Sequence, residues 1–273
     1  CVYTPFDYIL PNCVTKYEDL YDTKVRGGAS KLKQSDREKS LQKLMRINLL
    51  KRLESSVDSF RLTISKILNQ INFTIDAIKN FETNGTDATF DDMSVKDYEE
   101  DEDILDLMDN DFSIGGKVKI NLKDMNTIGW KEDLLYDQFI LSDLLKEFQR
   151  IQPNNDLKLT ELINLIENPI NAGNKKVIVF SAFADTANYI YENVSKVIKL
   201  EYGLDTALVT GGGANKCTMN IDKDYNNLLI NFSPISKNRN ILEGKKDKEI
   251  DILIATDCIS EGQNLQDCDY LVN

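Results

Sequence analysis

The chain has 273 residues, with 45 acidic against 33 basic side chains and a net charge of −12, an excess that argues against a broad nucleic-acid-binding surface. Its 41% hydrophobic content suits a soluble globular protein of one large domain or two ordinary ones, and no run of about 18 apolar residues is present to span a membrane. There is no histidine, which removes Ser-His-Asp and Cys-His catalysis and any His-containing zinc site.

Residues 1–30 read as irregular, with Pro5, Pro11 and Gly27-Gly28. From Asp36 a helical pattern begins: Leu41, Leu44, Ile47, Leu50, Leu53, Val57, Phe60, Ile64, Ile67, Leu68 and Ile71 recur at three and four residues, continuing through Ile75 and Ile78 to Phe81. Asp36 is a candidate cap and Asn84-Gly85 a stop signal. The pattern predicts one helix of about 45 residues, or two with a break near Asn69–Thr74, reading as a protruding arm. Its polar face carries Lys43, Arg46, Lys51 and Arg52, either a solvated face or a contact for nucleic-acid backbone. Residues 84–112 are an acidic excursion, flexible or marginally helical. "VKINLKD", 118–124, predicts a short strand, Asp133 to Arg150 an amphipathic helix, and Lys158 to Glu167 a third helix that ends before Pro169.

The pattern changes at Gly173. "KKVIVFS" (175–181), "TALVTG" (206–211), "LLINFSP" (228–234), "EIDILIATD" (249–257) and "DYLVN" (269–273) predict strands, with a helix from Thr186 to Leu200 after the first. Strands apolar on both faces that alternate with helices indicate a parallel α/β sheet. Ligands in such sheets sit beyond the carboxyl ends of the strands, where Thr256, Asp257, Ser260, Glu261, Gly262, Gln263 and Asn264 follow Ala255. The expected division is a helical region over 1–150 and an α/β region over 151–273. The five cysteines show no CxxC spacing. They read as reduced in a cytosolic protein, with Cys258 and Cys268 as small apolar residues beside a buried segment. The start at Cys1 without Met leads us to expect a fragment of something longer.

Three stretches resemble the second RecA-like lobe of superfamily-two helicases, in the Swi/Snf-type branch with bacterial RNA-polymerase-associated ATPases. "KKVIVFSAFADTANYIYENV" (175–194) looks like the fourth helicase motif and its helix, and "TALVTGGG" like the next strand and turn. "IDILIATDCISEGQNLQDCDYLVN" (250–273) looks like the fifth motif, which carries most weight because many polar types recur at fixed spacing. "LMRINLLKRLESSVDSFR" (44–61) resembles a segment of related bacterial helicase-like proteins. The resemblance implies a RecA-like parallel sheet preceded by a mostly helical insertion, and an ATP-dependent DNA helicase or translocase that uses ATP and Mg²⁺ in full length. It implies that Thr256 and Ser260, with Ser181 and Phe183, meet nucleic acid. Gly262, which lacks a Cβ, lets the backbone approach a nucleotide, while Gln263 and Asn264 face the ATP ribose and phosphate. Asp257 and Glu261 support the loop. Thr186 or Asp185 caps the fourth-motif helix, and Lys175-Lys176 with Lys237 and Arg239 are candidate phosphate contacts or solvated charge.

The first lobe of such a motor supplies GxxxxGK[ST] and an acidic pair for Mg²⁺. Neither "GGKVK" (115–119) nor "GGGANK" (211–216) fits. No catalytic residue and no metal ligand is therefore assigned, and the fragment alone is expected to be inactive and to hold no cofactor tightly. Duplex DNA is the favoured partner of the full-length protein, with a protein partner through the helical arm. The alternatives are a non-enzymatic interaction module built on that arm, and a different doubly wound enzyme such as a methyltransferase, against which the glycine-free "VIVFSAFAD" counts.

Overall fold

A computed structural model describes residues 1–24, 31–85, 89–91, 118–212, 215–243, 248–259 and 263–273. Nearly all of the acidic excursion lies outside them. The chain divides into two units, Cys1–Leu53 with Phe60–Arg150, and Glu54–Ser59 with Ile151–Asn273.

In the first unit a 3-10 turn, Pro5–Tyr8, leads to α1, Val14–Tyr21. The short strands β1, Thr23–Lys24, and β2, Lys31–Leu32, pair antiparallel. The N-terminal segment expected to be irregular is thus largely structured. Its organising contact is remote in sequence: Asp124 accepts from Lys16 Nζ at 2.6 Å and from the Tyr17 hydroxyl at 2.7 Å, and these partners hold its carboxyl below the usual aspartate range. Two long helices follow, α2, Gln34–Ser55, and α3, Val57–Asn84. The break falls at Ser56, not near Asn69–Thr74, because the Ser56 hydroxyl accepts the Ser59 N–H at 3.0 Å, the bond of a helix cap. The first helix starts before Asp36, with the Gln34 N–H on Asp22. The second ends where Gly85, at φ +59°, takes the left-handed conformation.

Strand β3, Thr89–Asp91, pairs antiparallel with β4, Lys119–Asn121, and α4, Thr127–Gln149, is capped by Asn126. Ile67, Ile71, Ile75 and Ile78 of α3 pack with Trp130 and Leu134 of α4 and with Val2, Phe6 and Tyr17. The long helical pattern is therefore the wall of a packed core. Arg52, expected on the polar face, is buried, whereas Lys43, Arg46 and Lys51 are exposed.

The second unit is α/β. Helix α5, Leu157–Asn171, begins where Asp156 accepts from the N–H groups of Lys158 and Leu159. It runs past the predicted stop and takes Pro169 into its last turn. Strand β5, Val177–Phe180, leads to α6, Ala184–Tyr202, then β6, Thr206–Val209, and a two-residue β7, Lys216–Cys217. Residues 228–234, read as a strand, belong mostly to α7, Tyr225–Phe232. Asp224 caps this helix through the N–H groups of Asn226 and Asn227, and Leu228, Leu229 and Phe232 are buried along one stripe. Short α8, Arg239–Glu243, precedes β8, Ile252–Ala255, and β9, Tyr270–Val272.

The sheet order is β7-β6-β8-β5-β9, parallel except for β7. Alternation along the strands makes two cores. Val177, Val179, Leu208, Ile252 and Ile254 pack with α5 and α6. Ile178, Ala207, Val209, Leu253 and Ala255 pack with α7. This is a RecA-like parallel sheet flanked by helices and preceded by a mostly α-helical region with a long helix.

Candidate nucleotide and nucleic-acid site

The central strands deliver three hydroxyl residues to one end of the sheet. The ladder runs one residue past β5 and β8, with the Ser181 N–H on Ala255 O at 3.0 Å and the Thr256 N–H on Val209 O at 3.2 Å. Thr210, Thr256 and Ser181 therefore stand in a row at the carboxyl ends of β6, β8 and β5, all largely buried. Thr210 was not singled out in the sequence, although it follows its strand at the same offset as Thr256.

Two of the hydroxyls bond within the turns that follow their strands. Ser181 Oγ bonds the backbone of Phe183, accepting from its N–H and donating to its carbonyl. The Phe183 ring is buried. Helix α6 starts without a side-chain cap, so neither Thr186 nor Asp185 caps it. Thr186 is instead buried, and its hydroxyl pairs with those of Ser55 and Ser56 at 2.9 Å. Thr256 Oγ1 donates to Cys258 Sγ at 3.4 Å. Cys258, expected to act as a small apolar residue beside a buried segment, is exposed, because the 3-10 turn Asp257–Ile259 points Ile259 into the core instead. Asp257 is exposed. Ser260, Glu261 and Gly262 lie outside the described residues.

Gln263 and Asn264 line a groove of 670 Å³ beside β5 and β9, with Phe180, Ile259, Cys268 and Tyr270 among its walls. The loop that carries them is fastened by a residue not singled out in the sequence. Asp267 accepts from the N–H groups of Ile235 at 2.7 Å and Ser236 at 2.9 Å, and from the Ser236 hydroxyl. Burial alone would raise its carboxyl, but these donors hold it below the ordinary range. Lys237, on the same turn, donates from Nζ to Gln263 Oε1 at 2.7 Å.

Two other candidate phosphate contacts are committed elsewhere. Lys176 bonds Ile250 O at 2.6 Å and pairs with Glu249 at 2.7 Å. Arg239 is buried and donates to Asn231 and to Lys248 O. Lys175 is exposed. At the opposite end of the sheet, burial raises the Asp251 carboxyl above the ordinary range even though it accepts the Asp205 N–H at 2.9 Å. Among the described residues no cluster of His, Cys, Asp or Glu is placed to hold a metal ion, and no helix is long and apolar enough to cross a membrane.

The profile of the family described as the helicase conserved C-terminal domain matches residues 157–273. That range begins at α5 and spans the whole sheet. It supports a superfamily-two helicase C-terminal lobe, a helicase-like motor lobe of a kind that binds nucleotide and nucleic acid in full-length proteins. No curated protein matches the chain.

Proposed function

We propose that residues 151–273 are the second motor lobe of an ATP-dependent DNA translocase of the Swi/Snf type, and that residues 1–150 are a helical insertion. The row Thr210, Thr256 and Ser181 at the carboxyl ends of parallel strands carries this reading, since short hydroxyls at strand ends suit phosphate oxygens. Thr256 exchanges its weak bond to Cys258 for a backbone phosphate, and the resemblance adds Ser181, Phe183 and Ser260 as nucleic-acid contacts. Gly262, Gln263 and Asn264 form one wall of the ATP site, supported by Asp257 and Glu261. ATP and Mg²⁺ are held jointly with a phosphate-loop lobe, since GxxxxGK[ST] does not occur in this sequence. We expect no turnover from the 273 residues alone.

The test is ATP turnover, with and without duplex DNA, by a protein that joins this lobe to its phosphate-loop lobe, beside Thr256→Ala. The parent is stimulated by DNA, and the variant loses about tenfold of that stimulation, roughly one charge-assisted hydrogen bond. Absence of turnover under every condition refutes the motor reading. It would favour the second reading, a protein-interaction module, which rests on the exposed Tyr136 and Phe139 of α4, 67% and 69% accessible.

A further inference from the structure

The turn between α7 and α8 lies outside the three stretches of resemblance, yet its Lys237 reaches the groove's polar wall. Asp267 takes three hydrogen bonds from Ile235 and Ser236, so the backbone before Lys237 is fixed on the loop that follows Gln263. Asn238 completes the turn at φ +53°, a conformation asparagine tolerates better than most residues. The result is a lysine ammonium 2.7 Å from the Gln263 side-chain oxygen.

Lysine has donors and no acceptor, whereas a glutamine amide has an acceptor oxygen and a donor nitrogen. The ammonium therefore selects one of the two amide orientations. With Oε1 facing Lys237, the Nε2 protons are the donors left for a ligand in the groove. Such donors recognise acceptors, that is, phosphate oxygens or sugar hydroxyls. The amide is neutral, so the lysine charge is not cancelled by its partner and adds attraction for an anion. Lys176 and Arg239, tied to backbone carbonyls, do not share this task.

We propose that Lys237 is a positioning residue of the nucleotide groove: it holds the Gln263 amide with its nitrogen toward an acceptor of the bound nucleotide, and Asp267 holds the turn that makes this possible. The proposal rests on the nucleotide reading of the groove given above. Two readouts separate the failure of one from the failure of the other.

The first readout is the side-chain amide signal of Gln263 in the ¹⁵N-labelled 273-residue chain, assigned by its loss in Gln263→Glu. Lys237→Met shifts this signal, and Lys237→Arg, which still donates, returns it toward the parent position. The second is the KM for ATP in the DNA-stimulated assay above. There Lys237→Met raises KM about tenfold with a smaller change in kcat, Lys237→Arg recovers most of the loss, and Gln263→Glu raises KM as much as Lys237→Met because a carboxylate has no proton to donate. An amide signal unmoved by Lys237→Met overturns the link between the two residues. A signal that moves while KM does not overturns the positioning role. If the joined protein shows no turnover at all, the nucleotide reading falls and the ligand assigned here falls with it, whatever the amide signal does.

Discussion

Asp251 and Asp267 lie near the two ends of residues 250–273, and their environments push them in opposite directions. Asp267 faces two N–H groups and a hydroxyl. Its lowered pKa means stabilisation that is present above the unfolded value, near 3.9, and is lost as pH falls through the folded one. Asp251 is raised first by burial, with Glu249 and Asp205 adding to the shift, while Lys176 and the Asp205 N–H act against it. Its ionised form therefore costs stability at pH values above the ordinary aspartate range, a cost absent below it. Asp251→Asn keeps an acceptor for the Asp205 N–H and removes the charge. We expect the variant to exceed the parent by about 1 kcal/mol at pH 7 and to lose that advantage on acidification below about pH 4, read by urea denaturation followed by circular dichroism. A variant weaker than the parent at pH 7 would show that Lys176 and the Asp205 N–H stabilise the carboxylate by more than burial costs it. Thr256 and Ser181 were legible in the sequence because each directly follows an unbroken apolar strand. Lys237 was singled out only as a candidate phosphate contact, and its bond to Gln263 was not legible, nor was Asp267, since the partners lie 26 and 31 residues away.

At the level of elements, the strands of the parallel sheet were legible and the helix limits were not. Buried parallel strands are continuous runs of β-formers, so β5, β6, β8 and β9 were placed within a few residues. The α2–α3 break was misplaced because the apolar period passes through it unbroken: Leu53, Val57, Phe60 and Ile64 keep three- and four-residue spacing across Ser56. What decides the break is one hydroxyl on the Ser59 N–H. Ser56→Ala is expected to cost about 1 kcal/mol in urea denaturation and to speed exchange of the Ser59 amide, and Ser56→Asn to restore both. Unchanged Ser59 protection in the alanine variant would show that the cap does not set the boundary. Segment 228–234 was read as a strand because its apolar residues are adjacent. Asp224, four residues earlier, supplies the cap that turns them into the stripe of α7.

For the molecule as a whole, each unit has its own buried core, and the single tryptophan, Trp130, is fully buried in the first. It stacks on Tyr8 with ring centroids 5.8 Å apart, so its fluorescence reports unfolding of the helical unit. Ile254, fully buried in the sheet, reports on the other. Ile254→Ala is expected to cost about 2–5 kcal/mol. It should shift the dichroism transition in urea while leaving the Trp130 transition within about 0.5 kcal/mol. Equal shifts in both probes would mean that the two units unfold as one. The strand order β7-β6-β8-β5-β9 also bears on synthesis at the ribosome. Strands β5 and β6 emerge early but never touch each other, because β8 lies between them and is made much later. Until Ile252–Ala255 leave the exit tunnel, β5 has no permanent neighbour and β6 has only the two-residue β7 on one edge, so strands built for burial stand with open edges. The nascent α/β unit therefore passes through a long, sticky interval, when it depends most on chaperones.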